Sequence, residues 1–300
     1  RAVGLARQPA GPTRKGLPGS DEPRGVTDDR LDANRAHWDE LAEHHPKTEF
    51  YDVEAFLDGD SSLDAVELDG GKPVADRSLL HLQCHFGMDT LSWVREGAAS
   101  AVGVDFSSTA IETARELAER TGLDDRTEFV ESDLYDLPDV LDESFDVVFT
   151  SYGAINWLPD VEGWAEIVAH FLEPGGRFFI VELHPISHVL MDLSVDEEGV
   201  ARSDWPYFTD EPQTYDEEGT YADYEAEVEN TVTHEWSHSL GDVVTALVDA
   251  GLVIDELREY PYACFEQFPG QMREREDGNW VIPGEDYPLT FSIRAHNPEA

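Results

Sequence analysis

The chain has 300 residues, room for one large or two modest domains, and 40% hydrophobic residues with seven tryptophans can build a sizeable core rather than a disordered coil. Its 20 basic side chains face 65 acidic ones, and the net charge of −45 repels phosphate backbones and anionic lipid, which disfavours nucleic-acid and membrane-surface roles at ordinary salt. Two cysteines, Cys84 and Cys264, are too few for a disulfide framework or a four-cysteine metal site and point to a reducing cytoplasm, and no apolar run approaches the ~20 residues of a membrane helix.

Residues 1–30, rich in Gly, Pro and Arg and lacking an apolar core segment, predict a disordered tail outside the fold. Residues 31–77 read as an N-terminal lid segment, opening with a helix over 33–44 that puts Trp38, Leu41 and Ala42 near one side, then Phe50, Tyr51 and Phe56 among acids. From Ser78 a regular alternation begins. SLLHL (78–82) predicts a buried strand, Asp89 to Arg95 a helix that Gly97 ends, and Ala101 to Val104 a second strand closing on Asp105. A helix from Thr109 to Arg120 follows, with Thr109 and Glu112 as a capping box, then a third strand from Thr127 to Val130. FDVVF (145–149) predicts strand four, and Val161, Trp164, Ile167, Val168 and Phe171 mark the next helix. Pro174-Gly175-Gly176 stops that helix and turns the chain into strand five, Phe178 to Leu183. An interruption over 186–238 precedes a helix from Leu240 to Val248, a strand from Val253 to Glu259 and a last strand from Leu289 to Arg294.

Strands alternating with helices predict an α/β fold with a mostly parallel sheet, whose ligand site lies at the carboxyl ends of the strands. Asp105 ends strand two, 18 residues beyond Gly87, close to the spacing at which an acid accepts hydrogen bonds from ribose hydroxyls in dinucleotide folds. Asp133 follows strand three, where a second acid meets an adenine amino group. The first turn, LQCHFGMDT (82–90), lacks G-x-G-x-x-G, which disfavours NAD and FAD.

At this point the sequence resembles the class I S-adenosylmethionine-dependent methyltransferases, over about Ser78 to Glu182 and again over Ser239 to Ala295. SLLHLQCHFGMDT stands where the glycine-rich first motif lies, VGVDFSSTAIETAR looks like the second, ESDLYDLPD like the third and FDVVFTSYGAINWL like the fourth. FLEPGGRFFIVE looks like the turn into strand five, and LGDVVTALVDAGLVIDEL with LTFSIRA like the closing elements. The resemblance implies a Rossmann-like sheet of seven strands, mostly parallel with an antiparallel last strand, flanked by helices. It implies a methyltransferase domain over 78–300 whose segment 186–238 is an insertion covering the acceptor, with S-adenosylmethionine as cofactor and a small molecule as methyl acceptor. Implied cofactor residues are Gln83, Cys84, His85 and Gly87 of the first motif, Asp105, Phe106 and Ser107 of the second, Asp133 and Leu134 of the third, and Thr150 and Ser151 of the fourth. The first motif departs from the pattern: His81 stands for the usual acid and Gln83 and His85 for two of three glycines.

Methyl transfer from a sulfonium is an in-line displacement in which the protein chiefly aligns nucleophile and methyl. Tyr152 lines the acceptor side, and His184, at the end of strand five, is the candidate base because a neutral imidazole has the right pKa range. Trp38 and Tyr51 are candidates for an aromatic lid that attracts the sulfonium. The rival readings are a non-catalytic protein of the same fold and a methyltransferase of protein or nucleic acid. His234-Glu235-Trp236-Ser237-His238 matches H-E-x-x-H, but its strand-like neighbours disfavour the one-face helical zinc site that signature requires, so no metal is expected. Abundant acid with only three lysines among the basic residues resembles proteins of salt-in halophiles.

Overall fold

Helix α1 (Asp29–His44) opens the N-terminal segment expected to be a lid, followed by α2 (Val53–Asp58) and α3 (Ala65–Gly71). Residues 29–191, 193–195, 198–203, 205, 207–209, 211–284 and 286–299 are described by this computed structural model, so the predicted tail lies almost wholly outside them. α1 starts four residues earlier than the apolar pattern predicts, because its buried face carries Asn34 and His37 beside Leu41 and its first turn carries Asp29 and Asp32, which suit the positive end of the helix dipole.

The alternating domain follows as β1 (Ser78–Leu82), α4 (Met88–Arg95), β2 (Ser100–Asp105), α5 (Ser108–Thr121), β3 (Thr127–Glu131), β4 (Phe145–Thr150), α6 (Val161–Phe171) and β5 (Leu172–Leu183). Helix α7 (Pro185–Met191) enters the insertion, which contains the two-stranded pairings 194–195 with 201–202 and 213–216 with 232–235. The chain closes with α8 (Leu240–Asp249), β6 (Val253–Tyr260) and β7 (Thr290–His296). In space the seven strands run β6-β7-β5-β4-β1-β2-β3. β3, β2, β1, β4 and β5 are mutually parallel, whereas β7 is antiparallel to both β5 and β6, between which it lies. This is the Rossmann-like sheet that the motifs imply.

Alternation along the strands divides the core between the two faces of the sheet. Leu80, Leu82, Val148, Phe178 and Ile180 pack with Trp164 and Phe171 of α6 and Val243 and Leu247 of α8. Leu79, Val147, Phe149 and Phe179 pack with Leu91 and Trp93 of α4, Ile111 of α5 and Phe56 of α2. Each fully buried side chain of this size contributes roughly 1.5–3 kcal/mol by leaving water, so the paired faces hold the strand ends in place.

Two local expectations are corrected. The cap of α5 is Ser107, whose side chain accepts from Ala110 N, and not Thr109, because the helix already starts at Ser108. β5 begins at Leu172 rather than Phe178: the Pro174-Gly175-Gly176 turn is absorbed as a register irregularity, Phe145 pairing with Leu172 and Val147 with Arg177. Gly175 supports that bend at φ +79°, and a Cβ on Gly176 would lie 2.7 Å from Glu173 O.

Candidate active site

The turn from β1 to α4 and the end of β2 form one hydrogen-bonded unit. Asp105 is buried, its Oδ2 accepts from His85 N at 2.8 Å and its Oδ1 from Ser107 N at 2.9 Å. Burial outweighs these bonds and pushes its pKa up to about 6. Gln83 and His85 hold φ of +56° and +50°, the left-handed region normally given to glycine. The variant first motif thus keeps the backbone bend of a glycine turn and adds side chains to it, at a cost of about 1–2 kcal/mol per residue. Gly87 remains glycine for a separate reason: φ is +79° and a Cβ would stand 2.5 Å from the Phe129 ring.

Those added side chains have distinct places. Gln83 Nε2 donates to Ala154 O at 2.7 Å, while its Oε1 is buried with no hydrogen-bond partner among the described residues. Cys84 turns away into the core beneath the loop, near Gly103, and contributes to the turn through its carbonyl, which accepts from Gly87 N. His85 meets the lid: its Nε2 lies 2.9 Å from His45 Nδ1, and the Trp38 ring stands edge-on at 5.3 Å. Tyr51 packs on Phe86 at 4.7 Å, and its hydroxyl bonds to that of Tyr221. The structure therefore gathers Trp38, Tyr51, His85, Asp105 and Ser107 into one cluster.

On the neighbouring strand ends, Phe106 carries the Arg35 guanidinium over its ring at 5.8 Å, and Leu134 is buried. Asp133 Oδ1 accepts from Tyr135 N, and burial raises its pKa. At the end of β4, Thr150 Oγ1 is buried without a partner among the described residues. Ser151 Oγ donates to Asp89 Oδ2 at 3.1 Å and lies 3.3 Å from His81 Nε2. His81, in the place of the usual acid, also bonds Thr90 Oγ1, and burial holds it neutral with a pKa of about 3. Tyr152 packs against the second face of the core, its pKa raised by burial and then by Glu67.

His184 has another occupation. Its Nε2 pairs with Glu259 Oε1 of β6 at 2.9 Å and its Nδ1 accepts from Ile186 N, so both ring nitrogens are engaged and neither offers a free lone pair. Glu182, which the sequence places with His184 at the end of strand five, lies one residue from the end of β5. Its carboxylate accepts from the backbone amides of Gly153, Ala154 and Ile155, the last two at 2.7 and 3.1 Å, and so shapes the loop after β4. The sequence marks its position but not these partners, which lie 27 to 29 residues away. His234 and Glu235 lie in an extended strand rather than a helix, with His234 Nδ1 on Thr214 Oγ1 and His238 Nε2 on Leu158 O.

Of the insertion's rings, Tyr221 reaches the cluster, whereas Trp205 stacks between His188 and Tyr215 and serves the insertion itself. Phe208 is 82% exposed. Among the described residues, the groups at the strand ends with acceptor capacity left include the remaining lone pairs of Asp105 and Asp133, Gln83 Oε1 and Thr150 Oγ1.

Residues 79–176 match the family model described as a methyltransferase domain. Solved structures with this architecture include an S-adenosylmethionine-dependent methyltransferase from Mesorhizobium loti, with a TM-score of 0.51 and 23% identity over 80% of this chain and 99% of that one. The fold is that of the class I methyltransferases. A second structure of the class is the glycopeptide N-methyltransferase MtfA bound to S-adenosylmethionine, with a TM-score of 0.51 and 18% identity over 80% of this chain and 96% of that one. Among curated methyltransferases, demethylmenaquinone methyltransferase of Clavibacter sepedonicus is 38% identical over 110 residues, 37% of this chain and 42% of the relative. Methyltransferase GfsG of Streptomyces halstedii is 30% identical over 109 residues, 36% of this chain and 38% of the relative. The chain thus covers about two fifths of these relatives, and the family model falls on the part of the fold that runs from the first motif to the Pro174-Gly175-Gly176 turn.

Proposed function

We propose that the chain is a class I methyltransferase that transfers a methyl group from S-adenosylmethionine to a small organic acceptor. The observation that carries this reading is the fit of the unmatched groups to that cofactor. Asp105 keeps a lone pair on each oxygen for a ribose diol, while Gln83 Oε1 and Thr150 Oγ1 are buried acceptors suited to the cofactor's ammonium group. A buried polar atom without a partner is costly, and a ligand that satisfies several at once recovers that cost. Phe106 and Leu134 supply the apolar walls for an adenine, and Asp133 the acceptor for its amino group. When bound, S-adenosylmethionine supplies a methyl group on a positively charged sulfur.

The protein's own work is alignment and exclusion of water. The lid rings Trp38 and Tyr51 stand over the first loop, where aromatic faces favour a cation. Glu182 fixes the loop after β4, Tyr152 faces the acceptor side, and His184 with Glu259 braces the end of β5. Of the two curated relatives only the demethylmenaquinone enzyme is named for its acceptor, and a small acceptor is supported here by the insertion's Tyr221 meeting Tyr51 of the N-terminal segment. We also propose a cytoplasmic setting in concentrated salt, on the strength of the −45 charge and the unpaired cysteine inventory. The test is calorimetric titration with S-adenosylhomocysteine in molar KCl: saturable binding supports the reading, and none refutes it. Binding without methyl transfer to any acceptor would instead favour a non-catalytic protein of this fold.

A further inference from the structure

We infer that His45 of the lid hydrogen-bonds the methyl acceptor and orients it through Nε2, an inference that rests on the methyltransferase reading above. His45 lies in the single helical turn His45–Lys47 after α1 and is fully buried, 0% exposed. Thr48 pins its backbone, the Thr48 N and Oγ1 both donating to His45 O. Its ring is walled by Tyr221 at 4.9 Å and Tyr51 at 5.2 Å, with Trp38 at 6.2 Å. These rings come from the lid and the insertion, and His85 brings in the first loop, so the imidazole sits where all three parts meet.

The hydrogen bonds around it leave one ring nitrogen over. His45 Nδ1 meets His85 Nε2, one of the Tyr51 and Tyr221 hydroxyls donates to the other, His37 Nδ1 meets Asn230 O, and His44 Nε2 meets Asp223. His45 Nε2 is buried with no partner among the described residues. A bare buried N–H is rarer and costlier than a bare lone pair, so we assign the proton to Nδ1, donating to His85, and the lone pair to Nε2. Burial, with the neighbouring His44 and His37, lowers the pKa of His45 to about 3, so the ring stays neutral and the lone pair stays available.

The consequence is a selection rule. Nε2 accepts but does not donate, so the site favours acceptors that present an O–H or N–H beside the atom to be methylated. His85 ties this imidazole to the loop whose own amide binds Asp105 Oδ2, which links the acceptor's orientation to the cofactor's position.

The test needs no knowledge of the acceptor. Sinefungin carries a C–NH2 unit where S-adenosylmethionine carries S–CH3, so its amine stands in the place of the transferred methyl and is an N–H donor at the transfer point. Calorimetry compares sinefungin and S-adenosylhomocysteine on the full chain, His45→Phe and His45→Ala. The wild type should bind both, and each variant should lose roughly tenfold or more for sinefungin relative to S-adenosylhomocysteine, the worth of a hydrogen bond with one charged partner. An unchanged ratio, or equal loss of both ligands, overturns the role of His45 and leaves it a structural lid residue. Failure of the wild type to bind S-adenosylhomocysteine overturns the methyltransferase reading, and this inference with it.

Discussion

At Asp105, burial and hydrogen bonding pull in opposite directions, and burial wins. Two backbone amides favour the carboxylate, yet the pKa rises to about 6. A ribose diol that donates to both oxygens loses one of its acceptors when Asp105 is protonated, so cofactor affinity should be full above that value and fall as the pH drops through it. Binding should in turn lower this pKa and release protons near pH ~6, which calorimetry in buffers of different ionisation enthalpy will register. A pH-independent affinity with no proton release would remove Asp105 from the ribose site. For stability the sign follows the raised folded pKa: ionising Asp105 costs on the order of 3 kcal/mol, and that cost grows as pH rises from about 4 to about 6. At Gly87 the constraint is steric as well as conformational. Gly87→Ala should destabilise by about 1–3 kcal/mol, read as a lower denaturant midpoint at unchanged slope, because the new Cβ meets the Phe129 ring.

Among the elements, α1 is tied to two partners. Asn34 exchanges two hydrogen bonds with the backbone of His234, at 2.7 and 2.8 Å, and Glu40 accepts from the amides of Glu229 and Asn230. Asp39 accepts from Ser107 Oγ at 2.6 Å, joining the same helix to the cap of α5. The lid and the insertion strand therefore share one set of bonds, and Asn34→Ala should speed amide exchange in α1 and in 230–235 together. Faster exchange in α1 alone would show the two to be independent. Glu182→Gln turns one of the two accepting oxygens into an NH2 group facing backbone amides and should cost about 1–3 kcal/mol, a fall of several degrees in melting temperature at this chain length, with weaker S-adenosylhomocysteine binding. The strands and helices of the sheet were readable from the sequence because their periodicity is local: β1 ends where SLLHL predicts and α6 spans the predicted Val161 to Phe171. The bonds of α1 to the insertion were not, because they join residues 189 to 200 positions apart through polar side chains of the helix. The same holds for His45, which by sequence is one histidine of an adjacent pair before a proline, and for His184, whose partner Glu259 lies 75 residues on.

For the molecule as a whole, twenty basic groups cannot neutralise sixty-five acids whatever their arrangement. Ion pairs such as Lys72 with Glu96 and Arg77 with Asp146 lie at the partly exposed surface, where each is worth little. Self-repulsion is then governed by the solvent, since the Debye length shrinks from about 30 Å at 0.01 M salt to about 3 Å at 1 M. Dilution from molar KCl should reduce compactness, seen as loss of near-ultraviolet circular dichroism and a larger hydrodynamic radius. An unchanged spectrum and radius would remove the link between the charge and salt. No helix among the described residues is long and apolar enough to cross a membrane. On the proposed reading the charge bears on the protein's surroundings, while the methyl transfer rests on a handful of buried groups at the strand ends. The most direct test of that chemistry is titration of S-adenosylhomocysteine into the wild type and Asp105→Asn in molar KCl. The account predicts saturable one-to-one binding to the wild type, weakened about tenfold or more in the folded variant; no binding to the wild type, or equal binding to both, would contradict it.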